Sequence, residues 1–174
     1  TDKRLPIRKL QYGGAQEKNL RAGTENVPAI VGFGKAAELA LAEMQGNAAH
    51  VHRLRDALEK GLKALDGVSI FAESAERLPN TVQFGVHGFD GETLLMQLDR
   101  KAIAVSSGSA CTSGKTEPSH VLQAMKVPDA LANSAIRVSF GKNNTMSDVD
   151  VLLTALTDII AMNQQSAVMM AATV

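Results

Sequence analysis

The sequence lacks several features that would place it in a specialised class of proteins. Its 174 residues contain no tryptophan and one tyrosine, so the stacked aromatic platforms that bind single-stranded nucleic acid are not expected. Lysine plus arginine and aspartate plus glutamate number 18 each, which leaves no net charge to favour nucleic acid or an anionic membrane. No apolar run approaches the roughly 20 residues needed to cross a bilayer. We therefore expect a globular protein that binds neither nucleic acid nor membrane.

The chain has a single cysteine, Cys111, which cannot form an internal disulfide. Such usage is typical of a reducing compartment, and we expect a cytoplasmic location. Cys111 lies among small and polar residues, in the segment Ser-Ser-Gly-Ser-Ala-Cys-Thr-Ser-Gly over 106–114. A buried structural cysteine needs apolar neighbours at regular spacing, and this segment provides none. The pattern therefore predicts a reactive thiol on a loop.

Hydrophobic periodicity predicts two long helices, one over residues 26–44 and a second over 51–65, separated at Gly46-Asn47. We expect the two to pack through their apolar stripes. Short strands are predicted over 68–71, 81–86, 103–105 and 136–140, with helices between them. One of these helices is capped by Asp90, and the last begins at Ser147. A few strands separated by helices predict an α/β chain in which helices cover a small α+β sheet.

Two further residues have a plain structural interpretation and a functional alternative. Arg137 lies in a predicted strand, where its side chain either points into solvent or binds both oxygens of a carboxylate through its guanidinium. Thr24 precedes the first helix, which either Thr24 or Asn26 caps; the functional alternative is that the hydroxyl of Thr24 helps to hold an anion such as phosphate. His50, His52 and His87 have no metal-ligand spacing with Cys111, so no zinc site is predicted.

Four segments taken together resemble one known family. They are Gly-Gly-Ala-Gln-Glu-Lys-Asn-Leu-Arg-Ala-Gly-Thr-Glu-Asn over 13–26, the cysteine segment over 106–114, Glu-Pro-Ser-His-Val-Leu over 117–122 and Ile-Arg-Val-Ser-Phe-Gly over 136–141. In this order they are similar to the cysteine desulfurases of the nitrogen-fixation and iron-sulfur-assembly type, within the class V aminotransferases. The long cysteine segment followed by Glu-Pro-Ser is the most specific part of the resemblance.

The resemblance implies the carboxy-terminal part of an aspartate-aminotransferase-like enzyme of fold type I that uses pyridoxal 5'-phosphate. Residues 1–45 would be the end of the large cofactor domain and its connecting helix, and residues 46–174 the small domain with the cysteine loop. Cys111 would take the sulfur of L-cysteine as a persulfide, leaving L-alanine, and Arg137 would bind the substrate carboxylate. Thr24 would reach the cofactor phosphate of the neighbouring subunit of a homodimer.

The implied partners are L-cysteine, a second subunit and a sulfur-accepting scaffold protein of iron-sulfur cluster assembly. Cys111 is also a speculative transient ligand of an iron-sulfur cluster. The family's cofactor lysine follows a histidine, and none of the four histidines here is followed by lysine. We therefore expect the chain alone to be inactive. The alternatives are a non-catalytic domain that presents a thiol to a partner and a related selenocysteine lyase.

Overall fold

The computed structural model of the protein describes residues 6–107 and 118–171. The chain divides into two compact units, Thr1–Met44 and Gln45–Val174. The elements of secondary structure are, in chain order, α1 (Gln16–Asn19), α2 (Val27–Lys63), β1 (Val68–Ile70), β2 (Thr81–Val86), α3 (Gly91–Asp99), β3 (Ser106–Ser107), α4 (His120–Ala124), α5 (Asp129–Asn133), β4 (Ile136–Ser139) and α6 (Met146–Ala171). The assignment of residues 1–45 and 46–174 to two domains of a larger enzyme stays a prediction.

Helix α2 is continuous, so the predicted break at Gly46-Asn47 is wrong. One glycine inside a helix costs only about 1 kcal/mol relative to alanine, and Ala48 and Ala49, which follow Asn47, are strong helix formers. The expected packing of two separate helices is therefore wrong as well. The apolar side chains predicted to make that contact are exposed, namely Ile30, Phe33, Leu41 and Met44.

The four strands form one antiparallel sheet in the order β1-β2-β4-β3. Strand β2 has the predicted bounds, and β4 covers most of its predicted range. Helix α3 begins as predicted, because the side chain of Asp90 accepts a hydrogen bond from the N–H of Thr93 at 2.9 Å. The α/β prediction with a small helix-covered sheet is confirmed.

The predicted strand over 103–105 is wrong, because pairing with β4 is confined to Ser106 and Ser107. The N–H of Ile103 donates to the carbonyl of Leu98 at 3.0 Å, and the N–H of Ala102 to that of Asp99 at 2.8 Å. With Ala102 at a φ of 59°, these bonds form the Schellman arrangement that satisfies the last carbonyls of a helix. Ile103 therefore follows the end of α3 instead of pairing with β4.

One face of the sheet carries the main core of the second unit. Its strand residues alternate between this face and the opposite one, as a pleated strand requires. The buried apolar side chains come from β2 and β4, from the second half of α2, and from α3 and α6; they include Leu54, Leu58, Leu62, Val82, Phe84, Val86, Leu94, Leu98, Ile136, Val138, Val149, Leu152, Leu156 and Ile159.

Helix α5 covers one end of the opposite face, which we call the outer face. A side chain at Gly85 would lie 2.9 Å from the carbonyl oxygen of Leu131, so only glycine lets α5 approach β2 this closely. The buried hydroxyl of Ser134 accepts a hydrogen bond from the N–H of Val86 at 3.0 Å and donates to the carbonyl of Leu131 at 2.8 Å. These contacts fix α5 to the sheet.

Helix α6 begins at Met146 rather than at the predicted Ser147. The residue before it is Thr145, whose N–H donates to the carboxylate of Asp148 at 2.8 Å, as in half of a capping box. The side chain of Asn144 donates to the same carboxylate at 3.2 Å. These hydrogen bonds, the one from the Thr145 backbone first, lower the pKa of Asp148.

Replacing two glycines by alanine is expected to have opposite effects on stability. A side chain at Gly91 would lie 2.6 Å from the carbonyl oxygen of Asn133, whereas one at Gly46 would meet nothing within 4 Å. Gly91→Ala should destabilise the chain by about 1–3 kcal/mol, and Gly46→Ala should stabilise it by up to about 1 kcal/mol. Urea denaturation of both variants measures this; a Gly91→Ala chain as stable as the parent would contradict the close contact.

The lowered pKa of Asp148 predicts a loss of stability in acid. A carboxylate whose pKa is lower in the folded chain stabilises the fold at pH values above its pKa in the unfolded chain, about 3.9. This stabilisation disappears as the pH falls through the pKa of the folded chain. The difference in melting temperature between the parent and Asp148→Asn should therefore shrink below about pH 4. Asp150→Asn, which removes an exposed carboxylate of the same helix, is the matched control. A difference that stays constant from neutral pH to pH 2 would contradict the capping role.

Candidate functional site

Arg137 lies on the outer face of the sheet, at the end that α5 leaves open. Its neighbours in β4, Ile136 and Val138, are buried in the core, while Arg137 itself is exposed. This confirms the predicted orientation, and it follows from the alternation of side chains along a strand. Within residues 6–107 and 118–171, the guanidinium makes no ion pair. Its donors are therefore available to a ligand from outside this part of the chain.

Two polar residues flank Arg137 across the sheet. Gln83 of β2 is its partner on one side and Ser106 of β3 its partner on the other. Directly opposite residues in an antiparallel sheet have Cβ atoms about 4.5–5.5 Å apart, so the three form one polar row. Gln83 and the partnership with Ser106 were not predicted from the sequence. The alternation in 81–86 did put Gln83 on the polar side, but only the register reveals which residue lies opposite.

Strand β3 connects this polar row to the segment that contains the cysteine. Cys111 lies in residues 108–117, outside the described part of the chain, so the predicted loop and its reactive thiol stay predictions. Cys111 follows Ser107 by four positions. The pairing of Ser106 with Arg137 thus ties the cysteine segment to the arginine.

Thr24 belongs to the first unit, and its structural alternative does not hold. The cap of α2 is Asn26, whose side-chain oxygen accepts a hydrogen bond from the N–H of Ala29 at 3.1 Å. The side chain of Thr24 is exposed, and its backbone carbonyl accepts a hydrogen bond from Arg21 at 3.3 Å. Its hydroxyl makes no hydrogen bond to any residue the structure describes. A hydroxyl in this state fits the role of a donor to a phosphate.

The histidines have separate surroundings. His50 contacts the carbonyl of Asn144 at 2.8 Å, His52 contacts Asp56 at 2.9 Å, and His87 contacts the hydroxyl of Ser69 at 3.1 Å. His120 is exposed at the start of α4. In the described ranges, no three side chains of histidine, cysteine, aspartate or glutamate are grouped so that they could hold a metal ion. The speculative iron-sulfur ligation by Cys111 has no support there.

No helix in the described part of the chain is long and apolar enough to span a membrane. The features of the second unit that could serve a chemical function are an exposed arginine on the sheet, a polar row beside it and a short link along the chain to the single cysteine.

The chain is similar to curated cysteine desulfurases. A cysteine desulfurase of Gluconacetobacter diazotrophicus is 47% identical over 156 residues, which cover 89% of this chain and 39% of that protein. The cysteine desulfurase IscS of Methanosarcina thermophila is 44% identical over 158 residues, with 91% and 39% coverage. The chain therefore spans about 40% of the length of the curated relatives it matches.

A solved structure gives the same relationship in three dimensions. The NifS-like protein of Rickettsia africae superposes with a TM-score of 0.78 at 36% identity, covering 90% of this chain and 41% of that one. This likeness confirms the fold expected from the sequence resemblance, that of a fold type I enzyme. Residues 7–152 match the profile of the class-V aminotransferases. The chain belongs to the aminotransferase class-V family.

Proposed function

We propose that this chain is the sulfur-accepting part of a pyridoxal-phosphate-dependent cysteine desulfurase. The complete enzyme converts L-cysteine to L-alanine and leaves the sulfur as a persulfide on Cys111. The observation that carries the proposal is the pairing of Ser106 with Arg137, because it joins a carboxylate-binding group to the strand that leads to the only cysteine. The similarity to cysteine desulfurases supports the same conclusion.

Arg137 binds the carboxylate of L-cysteine in this proposal. A guanidinium presents two parallel N–H groups to the two oxygens of a carboxylate, which fixes both the position and the orientation of the substrate. The open end of the outer face leaves room for this approach, and no carboxylate of the described residues competes for Arg137. Gln83 and Ser106 add hydrogen-bonding groups on either side.

In this proposal the cofactor is held mainly by parts of the enzyme other than these 174 residues. Thr24 donates its hydroxyl to the cofactor phosphate of the neighbouring subunit in a homodimer. Pyridoxal phosphate supplies an electron sink that makes the sulfur of the bound amino acid open to attack. The hydroxyl of Thr24 is exposed and makes no hydrogen bond to the described residues, which supports this assignment.

Cys111 performs the transfer of sulfur. Its thiolate attacks the sulfur of bound L-cysteine, and the new S–S bond forms as the C–S bond of the substrate breaks. The carbon keeps the bonding electron pair and takes up a proton. One thiol and one cysteine thus give one persulfide and one alanine, with no external oxidant. We infer that the persulfide passes to an acceptor protein of iron-sulfur cluster assembly in the cytoplasm.

Replacing Cys111 by alanine should abolish the release of sulfide from L-cysteine by the full-length enzyme, with dithiothreitol as reductant. Mass spectrometry without reductant should find one added sulfur atom on the Cys111 peptide of the parent and none in the variant. The cofactor's absorption band, measured in both proteins, controls for folding and loading. Sulfide release that survives in a loaded Cys111→Ala enzyme would contradict the proposed nucleophile.

The 174-residue chain without the rest of the enzyme, supplied with pyridoxal phosphate and L-cysteine, should release no sulfide. Turnover by that chain would contradict the assignment of cofactor anchoring to other parts of the enzyme.

Replacing Arg137 by lysine should raise KM for L-cysteine about 10- to 100-fold, because lysine keeps the charge but cannot bind both carboxylate oxygens. Arg53→Lys, at an exposed arginine of α2, is the matched control. Cysteamine, which lacks the carboxylate, should inhibit the parent and Arg137→Lys equally. An unchanged KM for L-cysteine would contradict the carboxylate-binding role. So would a loss of inhibition by cysteamine in Arg137→Lys as large as the rise in KM for L-cysteine.

A further inference from the structure

Gln83 and Arg137 form a cross-strand pair of the closer kind. The N–H of Phe140 donates to the carbonyl of Asn80 at 2.8 Å, so the backbone groups of Phe140 point toward β2. These directions alternate along an antiparallel strand, so the backbone groups of Arg137 point toward β3 and Ser106. The pair with Gln83 is then a non-hydrogen-bonded one, in which Cα atoms lie about 4.5 Å apart rather than about 5.5 Å. The side chains of Gln83 and Arg137 therefore start from the closer spacing.

Neither side chain of this pair is engaged. Within residues 6–107 and 118–171, the amide of Gln83 and the guanidinium of Arg137 make no hydrogen bond. Ser106, the neighbour on the other side, differs because its hydroxyl donates to the carbonyl of Ser107 at 3.1 Å. Gln83 is half-buried and Arg137 is exposed. A half-buried amide without a partner keeps its hydrogen-bonding capacity for a ligand that approaches the arginine.

The residue type at position 83 suits the binding of an anion by Arg137. A glutamate directly opposite an arginine would form a stabilising cross-strand ion pair and would compensate the positive charge. Glutamine is polar and neutral, so the guanidinium keeps its full charge. The other outer-face residues of β2 and β4 are Thr81, Gly85 and Ser139, none of which carries a charge. A carboxylate that reaches this part of the sheet meets no competing negative charge from these two strands.

We propose that Gln83 is a second substrate-binding residue, whose side-chain N–H donates to the substrate carboxylate beside Arg137. The inference rests on the proposed function, because it takes Arg137 as the first ligand of that carboxylate. A guanidinium bound to both oxygens leaves a further lone pair on each of them, and the amide of Gln83 supplies a donor to one. Two adjacent strands then hold the carboxylate. The site therefore binds small α-amino acids with a free carboxylate, L-cysteine and its product L-alanine alike.

The test is Gln83→Met in the full-length enzyme, because methionine keeps the length of the side chain but has no N–H donor. KM for L-cysteine and the inhibition constant of L-alanine should each rise about tenfold, and kcat should stay within about twofold. Inhibition by cysteamine, which has no carboxylate, should be unchanged. Gln97→Met makes the same change at a half-buried glutamine of α3 and should alter none of these constants. The cofactor's absorption band controls for folding and loading.

An unchanged KM and an unchanged inhibition constant of L-alanine in Gln83→Met would overturn the inference. So would an equal weakening of L-alanine and cysteamine, because the effect would then not come from the carboxylate.

Gln83→Glu provides a second and independent variant. It places a carboxylate opposite Arg137, which should pair with the guanidinium, repel the substrate carboxylate and raise KM more than Gln83→Met does. A KM no higher than that of Gln83→Met would overturn the inference. If Arg137→Lys raises KM while both variants at position 83 leave it unchanged, the inference fails and the proposed function stands. If Arg137→Lys leaves KM unchanged, the proposed carboxylate site fails and the inference fails with it.

Discussion

The register of β4 between β2 and β3 determines most of what the second unit can do. Ile136 and Val138 are buried, and burying such side chains contributes about 1.5–3 kcal/mol each. A register shift of one residue would expose both side chains and place the charged Arg137 in the apolar core. The observed register is therefore more stable than the shifted one by several of these burial energies. The burial of the apolar residues keeps Arg137 on the open face.

The sequence predicted those elements whose signals are local. The alternation of β2 and β4 and the side-chain cap at Asp90 depend on residues close together in the chain, and the structure has them as expected. The errors arose where two signals compete. Glycine at 46 indicated a helix end, but its small cost is outweighed by good helix formers on both sides. Ile103 has strand character, but its N–H is bonded to the end of α3.

The site was predictable in its residue types and not in its arrangement. The motifs around Arg137 and Thr24 were found by resemblance, and local sequence left each with a structural alternative. The structure resolves part of this: Asn26 is the cap, so the hydroxyl of Thr24 is not needed there. The polar row of Gln83, Arg137 and Ser106 required the pairing of strands far apart in the sequence, which no local pattern contains.

The shortness of β3 bears on the proposed function. Only two residues pair with β4, and few hydrogen bonds mean that this edge opens at a lower free energy than the β2–β4 pair, which is buried and longer. Arg137 therefore has a fixed position, while the strand leading to Cys111 is held weakly. Under the proposed function the thiol of Cys111 meets both a bound substrate and an outside acceptor, and a weakly held strand fits that role. Ser139 at the end of β4 has no partner in β3 for the same reason, because the pairing stops at Ser106.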